Sequence, residues 1–147
     1  EMGRFGQKTG AGWYDYKKGD RQAYPSAIVA GVIEEVRKAA GQPVRKLADA
    51  EIVDRLVYAL VNEGARILDE KIAQRASDID LVYLMGYGFP IWRGGPMHYA
   101  ESQKLYAVAR RMRQFGEQEG GDANFWKPAA LIARLATDNR SFNGGAA

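Results

Sequence analysis

His98 is the single histidine of a 147-residue chain. An imidazole titrates near neutrality and is the first group to consider as a general base. Such a base needs an orienting partner, and the flanking run GGPMHYA offers none. The plainer reading is a partly buried histidine on the first turn after Pro96. Glu63 is the more pointed candidate. It lies three residues after Leu60 and four before Ile67, on the apolar side of a helical pattern. A buried carboxylate must be paired or hydrogen-bonded. It reads either as an acid/base of raised pKa or, in preference, as a structural acceptor. The expectation is that Glu63 accepts from backbone N–H groups of the Tyr87–Arg93 loop, or from Arg93 itself, with Asn62 sharing the network. Its removal should then cost more than about 1 kcal/mol. Arg93, between Trp92 and Gly94, has the chemistry to hold a phosphate, but pairing with Glu63 or stacking on an aromatic face is favoured.

Two glycine-containing runs invite a nucleotide reading. Gly6-Gln7-Lys8-Thr9 lacks the contiguous Gly-Lys-Ser/Thr of a phosphate loop, and no strand precedes it. Gly10-Ala11-Gly12 has Asp15 where a dinucleotide fingerprint needs its third glycine, with no βαβ context. Lys104, Arg110, Arg111 and Arg113 make a basic segment, but Glu117 and Glu119 nearby favour a solvated face over a nucleic-acid groove.

Composition narrows the classes further. Apolar residues make up 46% and charged residues 27%, the balance of a folded chain rather than a disordered one. The absence of cysteine excludes disulfides and thiolate metal sites, and one histidine argues against zinc. No apolar run reaches the roughly 18 residues of a membrane span. No basic-then-apolar segment opens the sequence, so secretion is unsupported. A net charge of +3 is compatible with an anionic ligand, although mild charge more often serves solubility. Glu1 has no methionine before it and the opening run is loop-like, so a piece of a longer protein is expected.

The elements that must position these residues are helical. Residues 1–24 read as loop pinned by Trp13, Tyr14, Tyr16 and Tyr24. A first helix runs from about Pro25-Ser26 to Gly41, with Ile28, Val32 and Val36 on one face and Val29 and Ile33 beside them. A second helix is capped by Asp49 and carries Val53, Leu56, Leu60, Gly64 and Ile67, widened by Val57, Val61 and Leu68. Gly64 costs about 1 kcal/mol there relative to alanine, and close approach of another helix would offset it. Ser77 caps a short third helix ending at Gly86. The run from Gly86 to Glu101, GYGFPIWRGGPMHYAE, is too rich in glycine and proline for a helix and too aromatic for a solvated linker. It reads as a packed loop, with Pro96 opening a further helix. A longer helix over about 103–118 turns Leu105, Val108, Met112 and Phe115 inward, and a last one from Pro128 to Ala136 does so with Leu131, Ile132 and Leu135. No alternating strand appears.

VNEGARILDE (Val61 to Glu70), the Gly86–Glu101 loop and GRFGQKTGAGWYDY (Gly3 to Tyr16) together resemble the C-terminal helical region of L-3-hydroxyacyl-CoA dehydrogenases. The likeness is greatest to the second such domain in the multifunctional enzymes of fatty-acid β-oxidation. Residues 1–24 resemble the segment that closes a preceding helical domain, 25–45 the connecting helix and linker, and 46–147 the second helical domain, including the WKPAALIARL run. The fold this implies is all-α, a small orthogonal helical bundle like the C-terminal domain of 6-phosphogluconate dehydrogenase, with an extended N-terminal arm.

The resemblance implies a parent that oxidises (S)-3-hydroxyacyl-CoA to 3-oxoacyl-CoA with NAD. The cofactor and the histidine–glutamate pair lie on a preceding Rossmann domain outside this sequence. No catalytic, cofactor-binding or metal residue is therefore expected here, and the chain alone is expected to be inactive. Asn62, Glu63, Gly64, Tyr87, Gly88, Pro90 and Arg93 are assigned structural or interface roles. Single-function relatives place an asparagine near the acyl substrate at the start of the long helix. Asp54 stands in the corresponding place, a poor neighbour for a thioester enolate, which implies a degenerate, supporting copy. The partners implied are the preceding helical and Rossmann domains, with the acyl-CoA bound by the parent. A homodimer of the piece is compatible with its wide apolar stripes; nucleic acid is not implied. The compartment is either bacterial-type cytoplasm or an organellar matrix. The rivals are a piece of a single-function 3-hydroxybutyryl-CoA dehydrogenase and an independent helical binding module.

Overall fold

The computed structural model describes residues 2–144. Six α-helices make up the framework: α1 (Ala27–Ala39), α2 (Asp49–Asp69), α3 (Ala76–Gly86), α4 (Pro96–Ser102), α5 (Leu105–Glu117) and α6 (Ala130–Thr137). The all-α expectation holds. Among the described residues the only β pairing is three isolated bridges, Gly6 with Ala11, Ala11 with Asp15 and Asp15 with Tyr24. The chain divides into two units, Glu1–Arg45 and Lys46–Ala147.

The first unit is a bridged arm followed by α1. Arg4 is its hub, donating to the Gly12 carbonyl at 3.0 Å, to the Asp15 carboxylate at 2.6 Å and to the Ser26 hydroxyl at 3.0 Å. The Arg4 guanidinium holds the Asp15 carboxyl below the usual carboxylate range. Gly12 permits the close turn of the arm: a Cβ there would come within 2.8 Å of the Gly6 Cα. Gln7–Thr9 forms one turn of 3₁₀ helix. The period-four apolar face of α1 is present but uncovered. None of its residues is buried, and Ile28, Ile33 and Val36 lie exposed.

The second unit carries the core. Val61 and Ala65 of α2, Ala100 of α4, Leu105, Val108, Met112 and Phe115 of α5, and Ile132 of α6 are buried together. The α5 face is the one its spacing predicts. Phe115 meets Trp126 edge-on at 4.9 Å between centroids. A second cluster joins Ala76 and Ile79 of α3 to Met97 of α4.

Helix ends differ from expectation in instructive ways. Asp49 is the first residue inside α2 rather than its cap, which is Ala48; the acid still faces the positive end of the helix dipole. Ser77 is likewise inside α3. The cap position belongs to Arg75, whose N–H donates to the Asp78 carboxylate at 3.0 Å. Gln103 and Lys104 form the turn into α5, with Lys104 in the left-handed region at φ 66°.

Candidate functional site

The loop from Gly86 to Glu101 is built outward from α3. Gly88 takes φ 69°, which turns the chain so that the Phe89 N–H reaches the Tyr83 carbonyl at 3.1 Å. Tyr83 then packs against Tyr87 at 5.3 Å and against Phe89 edge-on at 6.5 Å. Pro90 leads into a 3₁₀ turn, Ile91–Arg93, and two glycines of positive φ follow before α4 begins at Pro96.

Asp80 fixes the far end. Its carboxylate accepts from the Met97 N–H at 2.7 Å and the His98 N–H at 3.1 Å, and the residue is only 8% exposed. Gly95 has no room for a side chain because a Cβ there would collide with Asp80. Burial pushes the Asp80 carboxyl above its ordinary value, while the two backbone donors pull it back.

The expectation from sequence is that Glu63 accepts from the Tyr87–Arg93 loop; the buried acceptor is instead Asp80, and its donors lie beyond that loop in α4. The assignment is corrected: Glu63 faces solvent, with 61% of its side chain exposed, and pairs with Arg66 at 3.0 Å on its own helix. Leu60 and Ile67, which suggested burial, are themselves only half-buried. The centre of the buried stripe runs through Tyr58, Val61, Asn62 and Ala65 instead. Glu63→Ala is accordingly expected to change stability by less than about 0.5 kcal/mol by chemical denaturation, the scale of an exposed ion pair.

Asn62 shares no bond with the loop. It is 3% exposed, donates to the Lys127 carbonyl at 3.0 Å and accepts from the Ala129 N–H at 2.7 Å. It thereby ties α2 to the start of α6. Gly64 performs the expected close approach: a Cβ there would lie 2.6 Å from the Met97 sulfur. Two residues of the VNEG run thus hold two separated segments, WKPAAL through Asn62 and GPMH through Gly64. Arg93 stacks on Trp92 at 4.3 Å and on Tyr99 at 4.8 Å, the aromatic alternative considered from sequence, and not on Glu63.

Asp54 faces Arg111 at 3.7 Å and lies beside Tyr58. Burial first, then the Asp54 charge, pushes the Tyr58 hydroxyl up to about 12. Asp54 is therefore committed to an internal charge network. Next to it, Arg55 bonds Glu51 at 3.0 Å and Gln118, and lies over the Phe115 ring at 4.2 Å.

His98 is exposed, and its ring packs over Gly94. Its backbone N–H, not its imidazole, meets Asp80. No group of three His, Asp or Glu side chains able to hold a metal occurs among the described residues. Gly10, Ala11 and Gly12 lie in the bridged arm without a strand-turn-helix, so their geometry does not fit a dinucleotide pyrophosphate.

The loop presents an apolar outer face. Tyr87, Ile91 and Trp92 are 75%, 81% and 78% exposed, and Leu81, Val82 and Met85 of α3 are exposed with them. Sequence reasoning located the loop but not the α3 contribution. The signal was available in Leu81, Val82 and Met85, whose apolar side chains share α3 with the inward Ile79 and Tyr83. Exposed apolar surface on this scale marks an interaction face.

The second unit is thus a helical bundle whose α3 and following loop present an open apolar face. The chain is homologous to a segment of the multifunctional enzymes of fatty-acid β-oxidation. It is 45% identical over 136 residues to a peroxisomal bifunctional enzyme of Danio rerio and 39% identical over 138 residues to that of Homo sapiens. It is 35% identical over 142 residues to a glyoxysomal fatty acid β-oxidation multifunctional protein of Cucumis sativus. These alignments cover 92%, 93% and 94% of the chain but 19% of each relative's length. No family model matches the chain.

Proposed function

We propose that the chain is the C-terminal part of a multifunctional β-oxidation enzyme, comprising the closing segment of one helical domain (1–24), a connection (25–45) and a second helical domain (46–147). The parent oxidises (S)-3-hydroxyacyl-CoA to 3-oxoacyl-CoA and passes hydride to NAD, which is bound on a Rossmann domain elsewhere in that polypeptide. The role of this part is to support that half of the enzyme. The observation that carries the reading is the alignment pattern: nearly the whole chain matches a fifth of each relative. The uncovered face of Leu81, Met85, Ile91 and Trp92 supports it as a surface for a neighbouring domain.

Gly64 and Asp80 organise that face from within, Asn62 braces the bundle by tying α2 to α6, and Tyr87, Gly88, Pro90 and Arg93 shape the face. Asp54, the degenerate substrate position, takes no part in substrate binding; its pairing with Arg111 at 3.7 Å supports that reading. The compartment follows the source, an organellar matrix or a bacterial cytoplasm; the relatives are named peroxisomal or glyoxysomal. No described helix is long and apolar enough to cross a membrane. Association of two copies through the same face is the fate expected of the part when isolated.

An NADH-formation assay with (S)-3-hydroxyacyl-CoA tests the assignment. The purified chain is expected to show no rate above buffer, and the complete polypeptide a full one. Turnover by the chain alone would overturn it.

A further inference from the structure

The arm holds a feature that the supporting role does not use. A cleft of about 600 Å³ opens between the 3₁₀ turn and the residues after Tyr16. That volume lies within the range of small-molecule sites, roughly 300–1,000 Å³. Its charged lining is Lys8, Lys17, Lys18 and Arg21 against the one carboxylate of Asp20. The excess equals the net charge of +3 carried by the entire chain, so the remainder of the molecule is electrically balanced.

Asp20 is the one opposing charge in the cleft, held below the usual carboxylate range by its hydrogen bonds, so the excess of three is net of it. Its carboxylate already accepts from the Gln22 N–H at 2.9 Å and the Tyr24 hydroxyl at 2.7 Å. Lys17 is steadied over the Tyr24 ring at 4.4 Å, which fixes one ammonium without cancelling its charge. Lys8, Lys18 and Arg21 are exposed and enter no ion pair among the described residues. Four cationic residues lining one concavity repel each other, and an anion of matching charge relieves that repulsion. The fold of the cleft is set by backbone bonds, Tyr16 N–H to the Gly10 carbonyl at 2.9 Å and Asp20 N–H to the Lys17 carbonyl at 3.0 Å, so it does not depend on the cationic side chains.

We propose that this cleft binds a small organic diphosphate of about three negative charges through Lys8, Lys17, Lys18 and Arg21. The recognition is by side-chain cations, not by the backbone cradle of a phosphate loop or a dinucleotide fold. Two sources carry that chemistry, a free nucleoside diphosphate and the nucleotide end of a CoA thioester. The cleft lies wholly within the arm, and its binding stands apart from the supporting role of the second unit.

Isothermal titration of the 147-residue chain with ADP, with CoA and with adenosine, at physiological ionic strength, tests this. Saturable binding of ADP or CoA, with adenosine silent, is expected, and whichever of the two binds more tightly identifies the source. Lys18→Glu with Arg21→Glu should weaken binding by about tenfold or more, as loss of direct charge partners does. Arg110→Glu with Arg113→Glu changes the net charge equally at residues that do not line the cleft and should leave the affinity within about twofold. Both pairs are exposed, and circular dichroism verifies that each variant keeps its helices. Failure of ADP and CoA to bind at about 1 mM, the weak limit of specific recognition, overturns the proposal. Equal weakening by the two double variants, or tighter binding of a single-stranded oligonucleotide than of ADP, also overturns it. None of these outcomes bears on the NADH assay, so the two readings fail independently.

Discussion

Asn62→Ala is expected to destabilise the second unit by about 2–3 kcal/mol, roughly 10 °C or more in Tm for a domain of this size. The side chain is a bidentate clamp. Its oxygen accepts from the Ala129 N–H at 2.7 Å and its amide donates to the Lys127 carbonyl at 3.0 Å. Ala129 is the residue immediately before α6, so its N–H has no partner within the helix. Both Asn62 and Ala129 are buried, and alanine would leave the donor without water to replace the lost acceptor. Asn62→Asp is the informative companion. It keeps the acceptor but sets a carboxylate oxygen against the Lys127 carbonyl, and should also destabilise. Denaturant unfolding followed by circular dichroism measures both. A loss below about 0.5 kcal/mol for alanine would mean that α2 and α6 are held by apolar packing alone.

Asp80→Ala carries the second large effect, again about 2–3 kcal/mol, because it removes the acceptor from two N–H groups at the start of α4. Asp80→Asn retains one acceptor and should cost less. The comparison with asparagine also has a pH signature. Burial raises the folded carboxyl above its ordinary value, which the unfolded chain keeps. In the window between those two values the native state binds more protons than the unfolded chain, so stability from this group rises as pH falls. The wild type should therefore gain on Asp80→Asn as pH is lowered from neutral through that window, with no further gain below it. A difference that shrinks on acidification would show that the two backbone bonds outweigh desolvation.

The contrast between Glu63 and Asp80 shows what the sequence could and could not reveal. That a buried carboxylate accepts backbone N–H groups in this region was expected, from the apolar setting of Glu63. Which carboxylate was not. Glu63 has apolar neighbours at helical spacing, but those neighbours sit at the edge of the α2 stripe. Asp80 sits in a helix whose first-turn acids have an adequate local explanation in the dipole, and only the tertiary approach of α4 shows its other duty. Gly64 was readable for the opposite reason. A glycine inside a strong helix carries a local cost, and the Met97 sulfur against it supplies the offset. The inward face of α5 followed from period alone, whereas the exposure of α1 and of Leu56 on α2 did not, because periodicity marks an apolar face without saying whether anything covers it.

The basic cleft of the arm illustrates the same limit. Lys8 is separated in sequence from Lys17, Lys18 and Arg21, and chain folding through the Gly6–Ala11 and Asp15–Tyr24 bridges brings them around one concavity. A composition-level charge of +3 gives no hint that the excess is local.

The supporting role is tested most directly by placing Leu81→Ser, Ile91→Ser and Trp92→Ser together in two settings and measuring Tm. In the isolated chain, kept dilute enough to be monomeric, these side chains face solvent, and the substitutions should leave Tm within about 2 °C, the scale of surface changes. In the complete polypeptide they should lower Tm by roughly 5 °C or more and reduce dehydrogenase rate, because an apolar contact is lost. An unchanged Tm and rate in the complete polypeptide would contradict the account.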